Sequence, residues 1–362
     1  MSVALEHRSG LSIRHAKPDD AAAIVDLLRE GLGEGTIPRS KPYWNWKHAA
    51  NPFGPSPVLV AEEAGRIVGL RAFMRWEWGD GKIGQEKTKQ PSDHRTSCLT
   101  AVRAVDTVTH PDFRGQGIFK RLTLQLRDEV QAEGTAFVFN TPNMQSRPGY
   151  LKMGWNPVGK PTLWIRPVRL LQFMKAYRRQ GVDSEEGIPP VVDEATVGDV
   201  LGESESKEII ESAQEAHCHD RLHTPLSLAY LQWRYAAVPG FDYYAVRKEA
   251  GDEGALLIFR TRLRGNLSEL RVCDVITGKS NRALRNARGL LRQAGKLADV
   301  NVVIGMPGVR HGMRNTFVSA GYLPVPRGGP PLTVYPFPAM NGVLDPTRLA
   351  SWGPSIGDLE LF

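Results

Sequence analysis

The sequence predicts a mixed α/β protein made of two tandem domains, each a mixed sheet flanked by helices. Three observations carry this expectation. Strand-like and helix-like segments alternate along the chain. Its 362 residues suit two domains better than one. Two motifs of the first half also recur in the second, in the same order. Tyr43-Trp44-Asn45-Trp46-Lys47-His48-Ala49-Ala50-Asn51-Pro52 matches Tyr230-Leu231-Gln232-Trp233-Arg234-Tyr235-Ala236-Ala237-Val238-Pro239, and Tyr150–Val158 matches Phe317–Val325. Either match alone is weak, but the shared order predicts duplication of one domain.

The elements follow in order. Leu11–Arg14 reads as a short strand. Lys17-Pro18-Asp19-Asp20 opens a helix with Asp19 as its N-cap, and Ala23, Ile24, Leu27 and Leu28 recur at helical spacing. Val58–Glu62 and Ile67–Trp78 are strands joined at Ala64-Gly65, and Gly79-Asp80-Gly81-Lys82 is a tight reversal. Gln85–Ser97 is polar and irregular, and Leu99–Thr109 is a long strand. Gln116–Gln131 is an amphipathic helix with Ile118, Leu122, Leu126 and Val130 on one stripe. Ala136–Phe139 is a short strand, Asn143–Met153 a helix or helical turn, and Trp155–Arg166 a returning strand. Arg166–Arg179 is basic and helical, and Gly181–Pro190 has the composition of a linker. The expected boundaries are a first domain over 1–166, a helix and linker over 167–190, a second domain over 191–345 and a tail over 346–362.

Hydrophobic residues at 41% and charged residues at 23% permit a sizeable core. The net charge of +7 is dispersed apart from a cluster near Lys175–Arg179. It suits an anionic ligand such as a phosphorylated cofactor, nucleic acid or a membrane surface, and equally a solvated basic surface. Cys98, Cys218 and Cys273 lie far apart without metal-ligand spacing, so reduced thiols and no metal are expected. The N-terminal stretch is too polar for a secretory core, and no apolar run approaches the ~20 residues of a membrane span. A cytoplasmic protein without membrane partners is the expectation.

The chemistry concentrates between Val105 and Phe119. An apolar strand ending Asp106-Thr107-Val108-Thr109 runs through His110-Pro111-Asp112-Phe113 into Arg114-Gly115-Gln116-Gly117-Ile118-Phe119, where a helix begins. A helix start leaves N–H groups unpaired and carries positive potential. Glycines let a phosphate approach the backbone, and Arg114 adds charge, so the run reads as a pyrophosphate cradle. A second stretch, Asn143-Met144-Gln145-Ser146-Arg147-Pro148-Gly149-Tyr150-Leu151-Lys152-Met153-Gly154-Trp155, follows after a helix and a strand.

Together these stretches resemble the two signatures of the GNAT superfamily of N-acetyltransferases, over roughly Leu11–Arg166 and more faintly in the second half. The layout resembles that of tandem members such as sugar N-acyltransferases. The resemblance implies that acetyl-CoA or another short acyl-CoA is the cosubstrate. Its pyrophosphate would lie on Arg114, Gly115, Gln116, Gly117, Ile118 and Phe119. Its pantetheine arm would pair with Thr107, Val108 and Thr109, and Asn143 and Ser146 would contact it, Ser146 standing for the family's small Ala. Tyr150 would sit near the sulfur and stabilise the departing thiolate. Phe119 departs from the usual Gly or Ala, and Pro148-Gly149 is less helical than the family pattern.

The implied reaction is attack of a neutral amine on the thioester carbonyl. Asp106 is the best general-base candidate; Glu77, His110 or a water chain are alternatives, with His110 expected at the surface. The second half keeps Asp274-Val275-Ile276-Thr277, but Gly278-Lys279-Ser280-Asn281 lacks the glycine loop and Phe317 lacks the tyrosine hydroxyl. A degenerate second domain follows. The acceptor is expected to be a small-molecule amine, first an amino sugar, free or nucleotide-linked. An aminoacyl-tRNA-dependent transferase is an alternative, although no basic RNA-binding extension is evident, which speaks against nucleic acid. A non-catalytic CoA-binding regulator is another. A homodimer stays open.

Overall fold

The computed structural model describes residues 10–33, 37–79, 98–179, 186–215, 221–338 and 344–359. The expected reversal after Gly79, the polar stretch Gln85–Ser97, Cys218 and the first part of the linker lie outside the described residues. Two compact units emerge. The first comprises Met1–Trp76, Thr100–Trp155 and Tyr335–Ala339; the second comprises Glu77–Leu99, Asn156–Val334 and Met340–Phe362.

The elements that lead to the candidate site are β1 (Ser12–His15), α1 (Ala21–Leu32), α2 (Lys41–His48), β2 (Val58–Glu63), β3 (Arg66–Gly79), β4 (Cys98–Thr109), α3 (Ile118–Ala132), β5 (Phe137–Asn140), α4 (Arg147–Lys152) and β6 (Asn156–Gly159). β1–β2 and β2–β3 pair antiparallel, and β4–β5 pair parallel across the α3 crossover. Side chains alternate between the two faces of the sheet, as the period of two requires. Leu59 and Ala61 of β2 pack with Val68, Phe73, Val102 and the α3 stripe Ile118, Leu122, Leu126 and Val130. Val58 and Val60 turn the other way, onto Ile24, Leu27 and Leu28 of α1. Leu122 and Leu126 are wholly buried, and truncating either to Ala should cost about 2–5 kcal/mol.

At the start of α1, Asp20 rather than Asp19 does the work at the turn. It accepts from Arg14 at 2.6 Å, the main cause of its lowered pKa, and from the Lys17 backbone N–H at 2.6 Å. A short 3₁₀ turn over Pro18–Asp20 moves the helix start by one residue.

The remaining elements are β7 (Leu163–Pro167), α5 (Leu170–Arg179), β8 (Glu186–Gly187), α6 (Val197–Gly202), α7 (Ser204–Glu215), α8 (Leu228–Leu231), β9 (Tyr244–Lys248), β10 (Ala255–Arg264), β11 (Leu267–Thr277), α9 (Asn281–Gln293), β12 (Val302–Gly305), α10 (Met313–Ser319), β13 (Leu323–Val325), β14 (Leu332–Pro336) and α11 (Ile356–Leu359). β9–β10 and β10–β11 are antiparallel and β11–β12 is parallel, repeating the pattern of β2 to β5. The first sheet runs β1-β2-β3-β4-β5-β14-β6 and the second β13-β7-β12-β11-β10-β8, with β9 also on β10.

This order differs from the sequence boundaries. Trp155–Arg166 was expected as one strand of the first domain. It is instead two strands in different sheets: β6 pairs with β14, while β7 pairs with β12 and β13. Gly159 at φ +131° and the Pro161 that follows, which has no N–H to donate, break the run between them. The strand next to each parallel pair therefore comes from the other half of the sequence. The expected tail is not peripheral to the second unit: Trp352, Ile356, Asp358 and Leu359 are buried.

Candidate active site

β4 is twelve residues long, yet its parallel register with β5 covers only Ala101↔Phe137, Val102↔Val138 and Arg103↔Phe139. Beyond Arg103 the two strands part, and β4 continues to Thr109 without β5. Asp106 lies within this stretch at φ +37°, a left-handed conformation costly for a residue with a Cβ. The end of the β5 pairing leaves backbone groups of Thr107, Val108 and Thr109 along an open edge. On the other side β4 stays in contact with β3: the Thr107 hydroxyl donates to the Leu70 carbonyl at 3.4 Å and the His110 N–H to the Val68 carbonyl at 2.8 Å. Val108 is fixed against α1, because Gly31 leaves the space its side chain fills.

The loop after β4 places two glycines in open space. Gly115 and Gly117 have φ of +79° and +74°, and a Cβ at either would meet nothing within 4 Å. Gly117 is the N-cap of α3 and supplies no side-chain acceptor to the first N–H groups. Gly115, Gln116 and Gly117 are exposed, Ile118 is buried and Phe119 half-buried. A cradle with free N–H groups, no obstructing side chains and a fifteen-residue helix behind it fits a pyrophosphate. Arg114 does not face the cradle: its guanidinium donates to the Gly31 carbonyl at 3.0 Å and the Thr109 carbonyl at 3.4 Å, tying the loop to the end of α1.

α4 is short, as its Pro148-Gly149 foreshadowed. Asn143 Oδ1 accepts from the Ser146 N–H at 2.8 Å and its hydroxyl at 2.9 Å, so these two predicted contacts of CoA hold each other at the helix start. Phe119 and Gly149 prove to be a matched pair of departures. The Phe119 ring lies where a Cβ on Gly149 would sit, 3.0 Å from its Cε1, and meets Tyr150 edge-on at 5.7 Å. Tyr150 is 3% exposed. Its oxygen accepts a 2.7 Å hydrogen bond from Nη2 of Arg71, a wholly buried residue of β3.

The other face of β4 carries a charged cluster. Asp106 Oδ2 accepts from Lys47 Nζ at 2.8 Å and from His48 Nε2 at 2.7 Å. Because a carboxylate only accepts, Nε2 carries the proton of neutral His48, and its Nδ1 accepts from the Ser56 hydroxyl at 2.9 Å. Burial alone would raise the Asp106 pKa. The Lys47 charge and the His48 hydrogen bond outweigh it and hold the carboxyl well below its usual range. Burial lowers the His48 pKa against the pull of Asp106. Asp106 lies at the wall of a cavity of about 60 Å³ that Lys47, Tyr43, Trp44, Leu28 and Ile37 also line. His110, expected at the surface, is only 8% exposed: Nδ1 accepts from the Asp112 N–H at 3.2 Å, and Nε2 lies 2.9 Å from Arg66. Its role there is to shape the turn before the loop.

Solved structures share this arrangement of elements. A GCN5-related N-acetyltransferase from Anabaena variabilis ATCC 29413 superposes with a TM-score of 0.57 at 14% identity, over 90% of this chain and 72% of that one. A conserved protein of unknown function from Enterococcus faecalis V583, a probable N-acyltransferase, gives 0.58 at 10%, over 91% and 73%. Eis1 from Mycobacterium abscessus gives 0.51 at 13%, over 90% and 73%. The chain has the GNAT fold. Neither a protein-family model nor a curated protein sequence matches it. At these identities the likeness is one of fold, and the chemistry rests on the residues themselves.

In GNAT terms the opening beyond Arg103, the glycine loop and Tyr150 share one unit, with Asp106 and Thr107–Thr109 on β4, Arg114–Phe119 in and after the loop, and Asn143 and Ser146 at the start of α4, whereas Glu77, the alternative base, falls in the other unit. Four further side chains surround it that sequence reasoning missed: Lys47, His48, Ser56 and Arg71. Lys47-His48 sits inside the repeated segment, where the second copy has Arg234-Tyr235, and Tyr235 there donates to Asp274 as His48 does to Asp106. That shared pattern was the available signal. For Arg71 the signal was a charge inside the apolar run Ile67–Met74. Among the described residues the second unit shows no comparable cradle at the matching turn. A Cβ on Gly278 would collide with the backbone of Gly251 and Asp252, and Ser280 caps α9 with its own hydroxyl at 3.2 Å from the Ala283 nitrogen. Among the described residues no group of three or more His, Cys, Asp or Glu is placed to hold a metal, and no helix is long and apolar enough to cross a membrane.

Proposed function

We propose that the first unit moves an acyl group, acetyl or another short chain, from a CoA thioester to a primary amine. The observation that carries this reading is the parting of β4 from β5 after Arg103, with the open glycine cradle at one end of the gap and Tyr150 beside it. CoA would supply an activated acyl group. The N–H groups at Gly115–Ile118 would hold its pyrophosphate, and the open edge of Thr107–Thr109 would align the pantetheine amides and give the carbonyl oxygen a donor as it becomes an oxyanion. Tyr150 would donate a hydrogen bond to sulfur as the C–S bond breaks.

Asp106 faces the acceptor side. Its depressed pKa makes it a weak base toward a free ammonium. The nitrogen becomes strongly acidic once the C–N bond forms, and a weak carboxylate base then suffices to take its proton. The aromatic rings of Tyr43 and Trp44 beside this carboxylate suit an amine on a ring compound, and an amino sugar is our first choice. We place the reaction in the cytoplasm, with small molecules as the only partners it requires.

Thermal stability with acetyl-CoA, free CoA and ATP tests the cradle. At about 100 times Kd, binding should add roughly 2.7 kcal/mol. Gly117→Trp should destabilise the free protein by about 1–2 kcal/mol, because its φ is positive, and abolish the ligand shift. An amine panel then separates an enzyme from a binding protein: Tyr150→Phe should keep the ligand shift and lower turnover by about 100-fold. Acetyl-CoA binding without turnover on any amine would favour the regulatory reading. No shift with acetyl-CoA would overturn CoA use.

A further inference from the structure

We propose that Arg71 is the positive charge that holds the leaving thiolate, acting through Tyr150. The inference rests on the acyl-CoA reading above. Arg71 lies in β3 with no exposed surface. Of its guanidinium nitrogens only Nη2 has a partner, the Tyr150 oxygen; Nε and Nη1 meet no acceptor among the described residues. In place of a carboxylate, three aromatic rings surround the charge. Its central carbon is 4.9 Å from the centroid of Phe73, 5.3 Å from Tyr150 and 5.8 Å from Phe119. Burying a cation without an anion is among the costliest arrangements in a protein interior, and ring faces offset only part of it. An anion that arrives during the reaction resolves the imbalance.

The position says which anion. The contacts of Leu70 with Thr107 and of Val68 with His110 put Arg71 on the strand beside the Asp106–Thr107 stretch, where β4 has parted from β5. The Tyr150 oxygen is occupied as an acceptor by Arg71, which leaves its hydroxyl hydrogen free to point into the gap. As nitrogen bonds to the carbonyl carbon, the C–S bond breaks and sulfur leaves with the electron pair. Tyr150 donates a hydrogen bond to the thiolate while keeping its proton, and the proton lost from nitrogen goes to Asp106. Arg71 neither gains nor loses a proton. It fixes the phenol and offsets the negative charge that gathers on sulfur and phenol oxygen. Arg71 is thus a positioning residue whose effect appears on the thiol.

Free CoA is the probe. The ultraviolet absorbance of its thiolate is followed against pH when bound to the wild type, Arg71→Met and Arg71→Lys, with desulfo-CoA as blank and as a test of folding and cradle. In the wild type, bound CoA should ionise at lower pH than CoA in solution. Arg71→Met should raise that midpoint by about one pH unit or more, Arg71→Lys should fall between, and desulfo-CoA should bind all three alike. An unchanged midpoint in an Arg71→Met protein that binds desulfo-CoA overturns the inference and leaves the acyl-CoA reading standing. If succinyl-CoA binds the wild type more tightly than acetyl-CoA and Arg71→Met removes the difference, the guanidinium reads a donor carboxylate and the thiolate role falls. If the wild type binds neither CoA nor desulfo-CoA, the acyl-CoA reading fails and the inference with it.

Discussion

His48 is held as a neutral ring between a carboxylate and a hydroxyl, and that has a pH signature. Its folded pKa lies below the ordinary value of 6.5, so protons bind the unfolded chain more readily than the folded one. The stability it contributes is complete above pH 6.5 and is lost as pH falls below that. Asp106 acts in the same direction at lower pH, because its folded pKa is depressed beneath the usual carboxylate range. Urea unfolding from pH 8 to about 2 should show a two-stage loss, the upper stage below pH 6.5 from His48 and the lower stage below the ordinary aspartate value of 3.8 from Asp106. His48→Gln keeps both hydrogen bonds, through its amide N–H to Asp106 and its amide oxygen to Ser56, and should remove the upper stage alone. An unaltered upper stage in that variant would assign it to another group.

The interior of α4 and the start of α3 form one packing unit through Phe119 and Gly149. Gly149→Ala should cost about 1–3 kcal/mol, because the added methyl lands on the Phe119 ring edge. Phe119→Leu should recover much of this, and the cycle should show coupling that two independent sites would lack. The same elements show what a sequence reveals. The stripe of α3 was legible because a period of 3.6 is a local property, and β2 to β4 because apolar runs between turn residues are too. The glycine loop was legible because positive φ selects glycine. Phe119 and Gly149 each read as a departure, since their compensation is visible only once the two helices meet. Asp106 was found, but its company was not: Lys47 and His48 arrive from α2, more than fifty residues earlier, and ion pairs at that separation leave no spacing to read. Nor does a sequence say that the arginine of an apolar strand will find a tyrosine instead of an acid.

At the scale of the molecule, the repeat was visible in the sequence but the exchange of strands was not. A returning strand looks the same whichever sheet receives it. The two sheets place β14 between β5 and β6, and β7 between β12 and β13. A fragment of residues 1–166, the first domain by sequence, should therefore lack a strand beside β5 and carry β7 without its partners. It should aggregate or show weak amide protection in hydrogen exchange, and a peptide of residues 330–339 added in trans should raise protection in β5 and β6. A monomeric, fully protected fragment would contradict this assignment. The same exchange sets a timetable during synthesis. Ribosomes add about 5–20 residues per second, and early domains ordinarily fold while later ones are made. Here the sheet that holds the glycine cradle must wait for Leu332–Pro336 to emerge, so its β5 edge stays open while every strand of the second sheet is translated. An open edge is a template for pairing with other chains, and the nascent first half is the stage at which this protein has most need of a chaperone.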